Sequence, residues 1–239
     1  MLMYGYPQIF KEIFKNFPTL ALKTISWSDF IRESGAVYKN YLKGYIPRDL
    51  LINLEKVLPR EMTLVKSINS SHHIDGNILL KMYFKQFLNP DGVIIDLRAQ
   101  HFSSNNQFCA PAFWYKFQSD FRENVINLYK GFYYDEDNLF TQSLDRLGMT
   151  TGLNDESKNE LKTLFKNHFG KNTQAMSFTL EAFNQSFLEI FKFFMKHEIK
   201  LPVDFIFLGV YLTTLYSHLE KNQQVIDVDA IFKSIYKTA

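Results

Sequence analysis

Cysteine is nearly absent from this chain, with Cys109 the one example in 239 residues. A disulfide framework and a Cys-rich zinc site are therefore excluded, and a reducing compartment is expected. Cys109 stands in Phe108-Cys109-Ala110-Pro111 and reads as a small core residue rather than a nucleophile. Neither sign of charge is in excess: 27 Lys and Arg against 25 Asp and Glu leave a net charge of +2. That excludes a strongly polyanion-binding composition, though not a local basic patch. Long hydrophobic runs are also missing. The longest, residues 205–212, is far short of the roughly 20 residues of a membrane-spanning helix. The N-terminus, Met-Leu-Met-Tyr-Gly-Tyr-Pro, has no basic segment followed by an apolar run, so it does not read as a secretory signal. A soluble, cytoplasmic protein is expected.

Catalytic motifs are missing too. None of the six histidines, His72, His73, His101, His168, His197 and His218, forms a His-Glu-x-x-His pair, and they read as surface or polar-loop residues. There is no Gly-x-Ser-x-Gly elbow, no Gly-x-Gly-x-x-Gly turn and no Gly-x-x-x-x-Gly-Lys loop. Serine hydrolase chemistry and the usual backbone cradles for phosphate lack support. The acidic pair Asp135 and Asp137 sits in a turn and reads as solvated.

Glycine (10) and proline (7) are outnumbered by 24 Phe and 13 Tyr. Such a chain can bury a large aromatic core. The pattern is mostly helical. Apolar residues recur at helical spacing over residues 7–17, 27–34, 36–43, 47–58, 115–134, 136–147, 156–168, 178–197 and 202–219, with a last short helix capped by Asp227 or Asp229. Gly35 is expected to stop one helix, and Gly44, Gly148 and Gly170 to end others. Residues 77–88 fit a helix or a strand. Asn89-Pro90-Asp91-Gly92 is a turn signal, and residues 93–95 are the one clear strand. Residues 103–107 read as a polar loop. The expected fold is mostly α, with at most a short β-hairpin near residues 78–96. Residues 1–70 would form a small helical subdomain and residues 71–239 a helical domain. The Phe-rich stripe at 183–207 reads as core, or alternatively as an apolar groove for a lipid-like ligand or a protein partner. A homodimer is compatible with this composition.

One constellation carries chemistry. His73-Ile74-Asp75-Gly76-Asn77 is followed by the Pro90-Asp91-Gly92 turn and by Val93-Ile94-Ile95-Asp96. An Asn-ended loop, a hairpin and a strand ending in Asp is the layout in which Asn and Asp oxygens hold the magnesium that bridges nucleotide phosphates. Further on come Phe117-Gln118-Ser119-Asp120-Phe121-Arg122, Leu128-Tyr129-Lys130-Gly131-Phe132, Leu147-Gly148 and Leu201-Pro202-Val203-Asp204-Phe205. In order and spacing, residues 72–236 resemble the C-terminal lobe of the UbiB/AarF atypical kinase-like family. The resemblance implies ATP with magnesium as the cofactor, with Asn77 and Asp96 as the residues that would hold metal and nucleotide. It also implies a degenerate member. The catalytic Asp position holds His72, and Asp75 serves as a base only in a loop shortened by three residues. Arg98 replaces the glycine after the metal-binding Asp. About 70 residues precede the loop, fewer than an N-lobe of ordinary domain size, about 100 residues, would need. The expected role is that of a pseudokinase or scaffold with no catalytic residue.

A second resemblance covers residues 24–51. Asp29-Phe30-Ile31-Arg32-Glu33-Ser34-Gly35, then residues 36–45 and Arg48-Asp49-Leu50-Leu51, resemble a TetR-type helix-turn-helix. This implies a transcriptional regulator in which Tyr38, Lys39, Asn40 and Lys43 approach DNA, followed by a helical ligand and dimerisation domain.

Overall fold

The computed structural model describes residues 24, 26–170 and 176–237. The expected helix at residues 7–17 lies outside them. Among the described residues the chain forms nine α-helices and six short strands, so the protein is mostly α. No described helix is long and apolar enough to cross a membrane.

The first helix, α1 (Trp27–Lys43), runs unbroken through Gly35. The stop expected at Gly35 is not there, because the apolar face of Phe30, Ser34 and Val37 stays buried on both sides of the glycine. A single interior glycine weakens a helix without ending it. The end comes at Gly44, which is left-handed (φ 59°). The Tyr45 N–H then closes on the Asn40 carbonyl, as in a Schellman cap. Pro47 leads α2 (Arg48–Val57), which buries Leu50 and Leu54.

Strand β1 (Thr63–Val65) pairs in parallel with β3 (Gln107–Cys109), in register Leu64 to Phe108. The ambiguous segment is a helix, α3 (Gly76–Gln86). Asp75 decides the matter by accepting the Asn77 and Ile78 N–H groups as N-cap, which satisfies donors that a helix start otherwise leaves orphaned. The expected strand is β2 (Val93–Ile94), and its partner is β4 (Trp114–Tyr115) rather than residues 78–80.

Helices α4 (Ser119–Tyr133) and α5 (Asp137–Arg146) follow. They cross so closely at Gly131 that a Cβ there would lie 2.5 Å from the Phe140 nitrogen. Asn154 caps α6 (Asp155–Phe169). After β5 (Met176–Ser177), Thr179 caps α7 (Leu180–Lys196). The axle of the molecule is α8 (Val203–Asn222), which α1, α3 and α7 pack against. It is apolar around most of its circumference, as a helix buried on all sides must be. Strand β6 (Val225–Ile226), paired with β5, and α9 (Val228–Ile235) complete the chain.

The aromatic stripe is core. Phe183, Phe187, Phe191, Phe194, Phe205 and Phe207 are all buried, and Phe187 and Phe191 lie within ring-contact distance of Phe205. The apolar groove expected as an alternative at 183–207 is not formed, because α7 closes its Phe face onto α6 and α8.

Candidate functional site

The loop before α3 and the loop after β2 are brought together by side chains of α8 spaced four residues apart. Thr214, His218 and Asn222 lie on one edge of the helix, as i, i+4 positions do. The Thr214 hydroxyl accepts the Leu97 N–H at 3.2 Å and lies 2.8 Å from the Ile95 carbonyl. One turn on, His218 Nε2 accepts the Ile74 N–H at 3.1 Å while Nδ1 meets the Leu97 carbonyl at 2.8 Å. An N–H facing Nε2 requires a lone pair there, so the ring is neutral with its proton on Nδ1. Burial draws its pKa down to about 4. Asn222 donates to the Ile74 carbonyl at 2.6 Å. Beyond the helix end, Gln224 accepts the Gly76 N–H at 2.7 Å and donates to Asp75 Oδ2 at 3.3 Å.

From the other side, buried Gln86 on α3 holds β2. Its Oε1 accepts the Ile94 N–H at 2.8 Å, and its Nε2 donates to the Tyr211 hydroxyl of α8 at 2.7 Å. These polar side chains satisfy the backbone of an irregular segment that has left water, which buried peptide groups require. His218 and His168 are therefore buried, against the expectation of surface histidines. His168 lies among Phe169, Phe183 and Phe187, and burial lowers its pKa to about 3.

Asp96 ends this clamped segment and is fully buried. Its Oδ1 accepts the Arg98 backbone N–H at 3.1 Å and Nε at 2.8 Å. Its Oδ2 accepts Arg98 Nη2 at 2.7 Å and His101 Nε2 at 2.9 Å. Burial works against the charged form, but the hydrogen bonds from Arg98 and His101 outweigh it and hold the carboxyl down at about 2. Asn77 stands elsewhere in role, exposed in the first turn of α3, with Nδ2 donating to Asp75 Oδ1 at 3.0 Å. Asp75 spends its carboxylate on the helix start and on Gln224, and burial, opposed by these bonds, leaves its pKa lowered. A lowered pKa suits a cap and not a general base near neutrality.

The implied magnesium site does not fit this donor set. Both Asp96 oxygens are occupied by N–H donors of Arg98 and His101, and a divalent cation would have to displace those donors to reach them. Among the described residues no group of three or more His, Cys, Asp or Glu side chains is placed to hold a metal ion. The residues assigned to DNA contact share the single helix α1, where Tyr38 is half-buried against the core and Lys39 and Lys43 are exposed. The turn that a helix-turn-helix needs at Gly35 is not formed.

The polar ladder of α8 escaped the sequence reading, although Thr214, His218 and Asn222 are conspicuous at i+4 spacing beside an apolar run. Set against protein-family models, characterised proteins and solved structures, the chain matches none of them.

Proposed function

We propose that this protein is a degenerate, kinase-lobe-like scaffold, a pseudokinase that presents a rigid loop surface to a protein partner and transfers no phosphoryl group. The observation that carries the reading is the double closure of Asp96 by Arg98 and His101. Phosphoryl transfer depends on metal and nucleotide being positioned together, and the one strand-final Asp that the resemblance offers is committed to an arginine. Nucleotide binding at Asn77 and Asp96 would require that arginine to let go. The clamped loop before α3 and the first turn of that helix leave His72, His73 and Asn77 exposed on a backbone fixed by α8, which suits recognition more than turnover. No observation favours the DNA-binding reading.

The test is a titration with fluorescent ATP and magnesium, alongside a phosphoryl-transfer assay. The wild-type chain is expected to bind without saturation and transfer nothing, while Arg98→Gly combined with His101→Ala, which removes both side-chain donors from the carboxylate, gains measurable affinity. Saturable binding by the wild type that disappears in Asp96→Ala would overturn the reading. Circular dichroism on each variant separates lost binding from lost fold.

A further inference from the structure

Of the eight large apolar side chains left exposed among the described residues, Ile31, Tyr41, Leu42 and Tyr45 belong to α1 and its closing turn. Their placement is regular. The buried face of α1 is Phe30, Ser34 and Val37, at spacings of four and three. One position on, Ile31, Gly35, Tyr38 and Leu42 repeat the spacing four, three and four, roughly 100° further around the helix, and Tyr45 follows beyond the left-handed Gly44. Ile31 is 57% exposed, Leu42 65% and Tyr45 55%. A Cβ placed on Gly35 meets no atom within 4 Å. The helix thus carries a second apolar stripe beside its buried face, with a notch at Gly35: Ile31 and Leu42 face solvent, and Tyr38 is half-buried at the margin of the core. Spacing of this kind is the seam of a helix pair.

Two features of the stripe fit a second copy of this chain. The first is symmetry. About a midpoint between Gly35 and Tyr38, an antiparallel mate sets Ile31 against Leu42 and Gly35 against Tyr38, the self-complementarity that a two-fold interface requires. The Gly35 notch then faces the exposed part of the half-buried Tyr38 ring. The second is charge. Arg32 is held by Asp29 and Glu33, each at 3.1 Å, so two acids and one base leave the N-terminal half of α1 net acidic. Lys39 and Lys43 make the C-terminal half net basic. An antiparallel mate places halves of opposite sign together and opposes the two helix dipoles. We infer that α1 is the seam of an antiparallel homodimer, built by Ile31, Gly35, Tyr38 and Leu42 of each copy. The dimer does not depend on the kinase-like reading of residues 72–236.

Sedimentation equilibrium on the full chain tests this, from about 1 µM to about 500 µM, the span over which a small interface assembles. The weight-average mass of the wild type is expected to rise with concentration from 28.2 kDa toward twice that value. Leu42→Glu, at an exposed position, is expected to stay monomeric and folded. Gly35→Leu is expected to weaken association at least about tenfold while raising the melting temperature, because leucine is a better helix former and meets empty space in the monomer. A wild type that is monomeric throughout overturns the inference and leaves the stripe to a partner of different sequence. A dimer untouched by both substitutions overturns it in favour of another face.

Discussion

The imidazole of His218 donates from Nδ1 to the carbonyl of Leu97 at 2.8 Å, across 121 positions of sequence. Its other nitrogen accepts the Ile74 N–H, so one neutral ring ties the loop just ahead of Asn77 to the loop that carries Asp96. Replacing it with leucine would leave a buried N–H and a buried carbonyl unpaired. His218→Leu is expected to cost about 2–4 kcal/mol, measured by urea unfolding at pH 7.5.

The same ring makes the fold acid-sensitive. In the folded chain His218 takes up its proton only near pH 4, against an ordinary value of 6.5. Above pH 6.5 neither state binds the proton, and the ring leaves stability unchanged. As pH falls from 6.5 towards 4 the unfolded chain binds it and the folded chain does not. Stability is therefore expected to decline through that window by on the order of 3 kcal/mol. Buried His168, lowered to about 3, acts in the same direction. Urea midpoints at pH 7.5 and pH 5 check the trend, which should be shallower in His218→Leu. An equal midpoint at both values would contradict it.

Asp96 acts in the same direction as His218 but over a more acidic window. Its carboxyl is held at about 2, so its contribution is full above 3.8 and is lost as pH falls through about 2. Asp96→Asn and Arg98→Ala are each expected to cost about 3 kcal/mol at neutral pH, since either breaks the ion pair of a buried carboxylate. His101→Ala, which removes one of the four contacts, should cost less. Denaturant unfolding of the three variants ranks them.

At the α4–α5 crossing the prediction is steric. Gly131→Ala drives a methyl group into the Phe140 backbone and is expected to destabilise by about 3 kcal/mol. Gly148→Ala, at φ 75° with open space around it, should lose only about 1 kcal/mol for its left-handed backbone. Thermal unfolding distinguishes the two.

Burial of the Phe-rich stripe sets a fifth expectation. Phe194→Ala removes a fully buried ring that touches Phe165 and Phe205. A loss of about 4 kcal/mol is expected in denaturant unfolding, as for a core residue. A stability change near zero would restore the groove reading.

Much of the helical architecture was legible from apolar spacing, because α4 to α8 each bury a continuous face, with Gly148 and Gly170 closing α5 and α6 and Pro202 opening α8. What was not legible depended on tertiary context. Gly35 is a stop in sequence but lies mid-helix, since Phe30 and Val37 bury one face across it. Residues 77–88 fit two periods, and only the Asp75 cap settles them as a helix. Strands β1 and β3 are too short for a pattern and exist because they pair across about 40 residues. At the candidate site, Asn77 and Asp96 could be picked out as residue types, but their use could not. Arg98 stood in plain view as a departure from glycine. That its guanidinium turns back onto Asp96 depends on the burial α8 imposes.

The central claim is that Asp96 belongs to Arg98 and His101 and not to a metal. Carboxyl-carbon NMR of the aspartates, titrated with acid and then with magnesium, addresses it directly. The account predicts an Asp96 resonance that titrates near pH 2 and stays in place with saturating magnesium. A midpoint near the ordinary 3.8, with a saturable shift on adding magnesium, would contradict it.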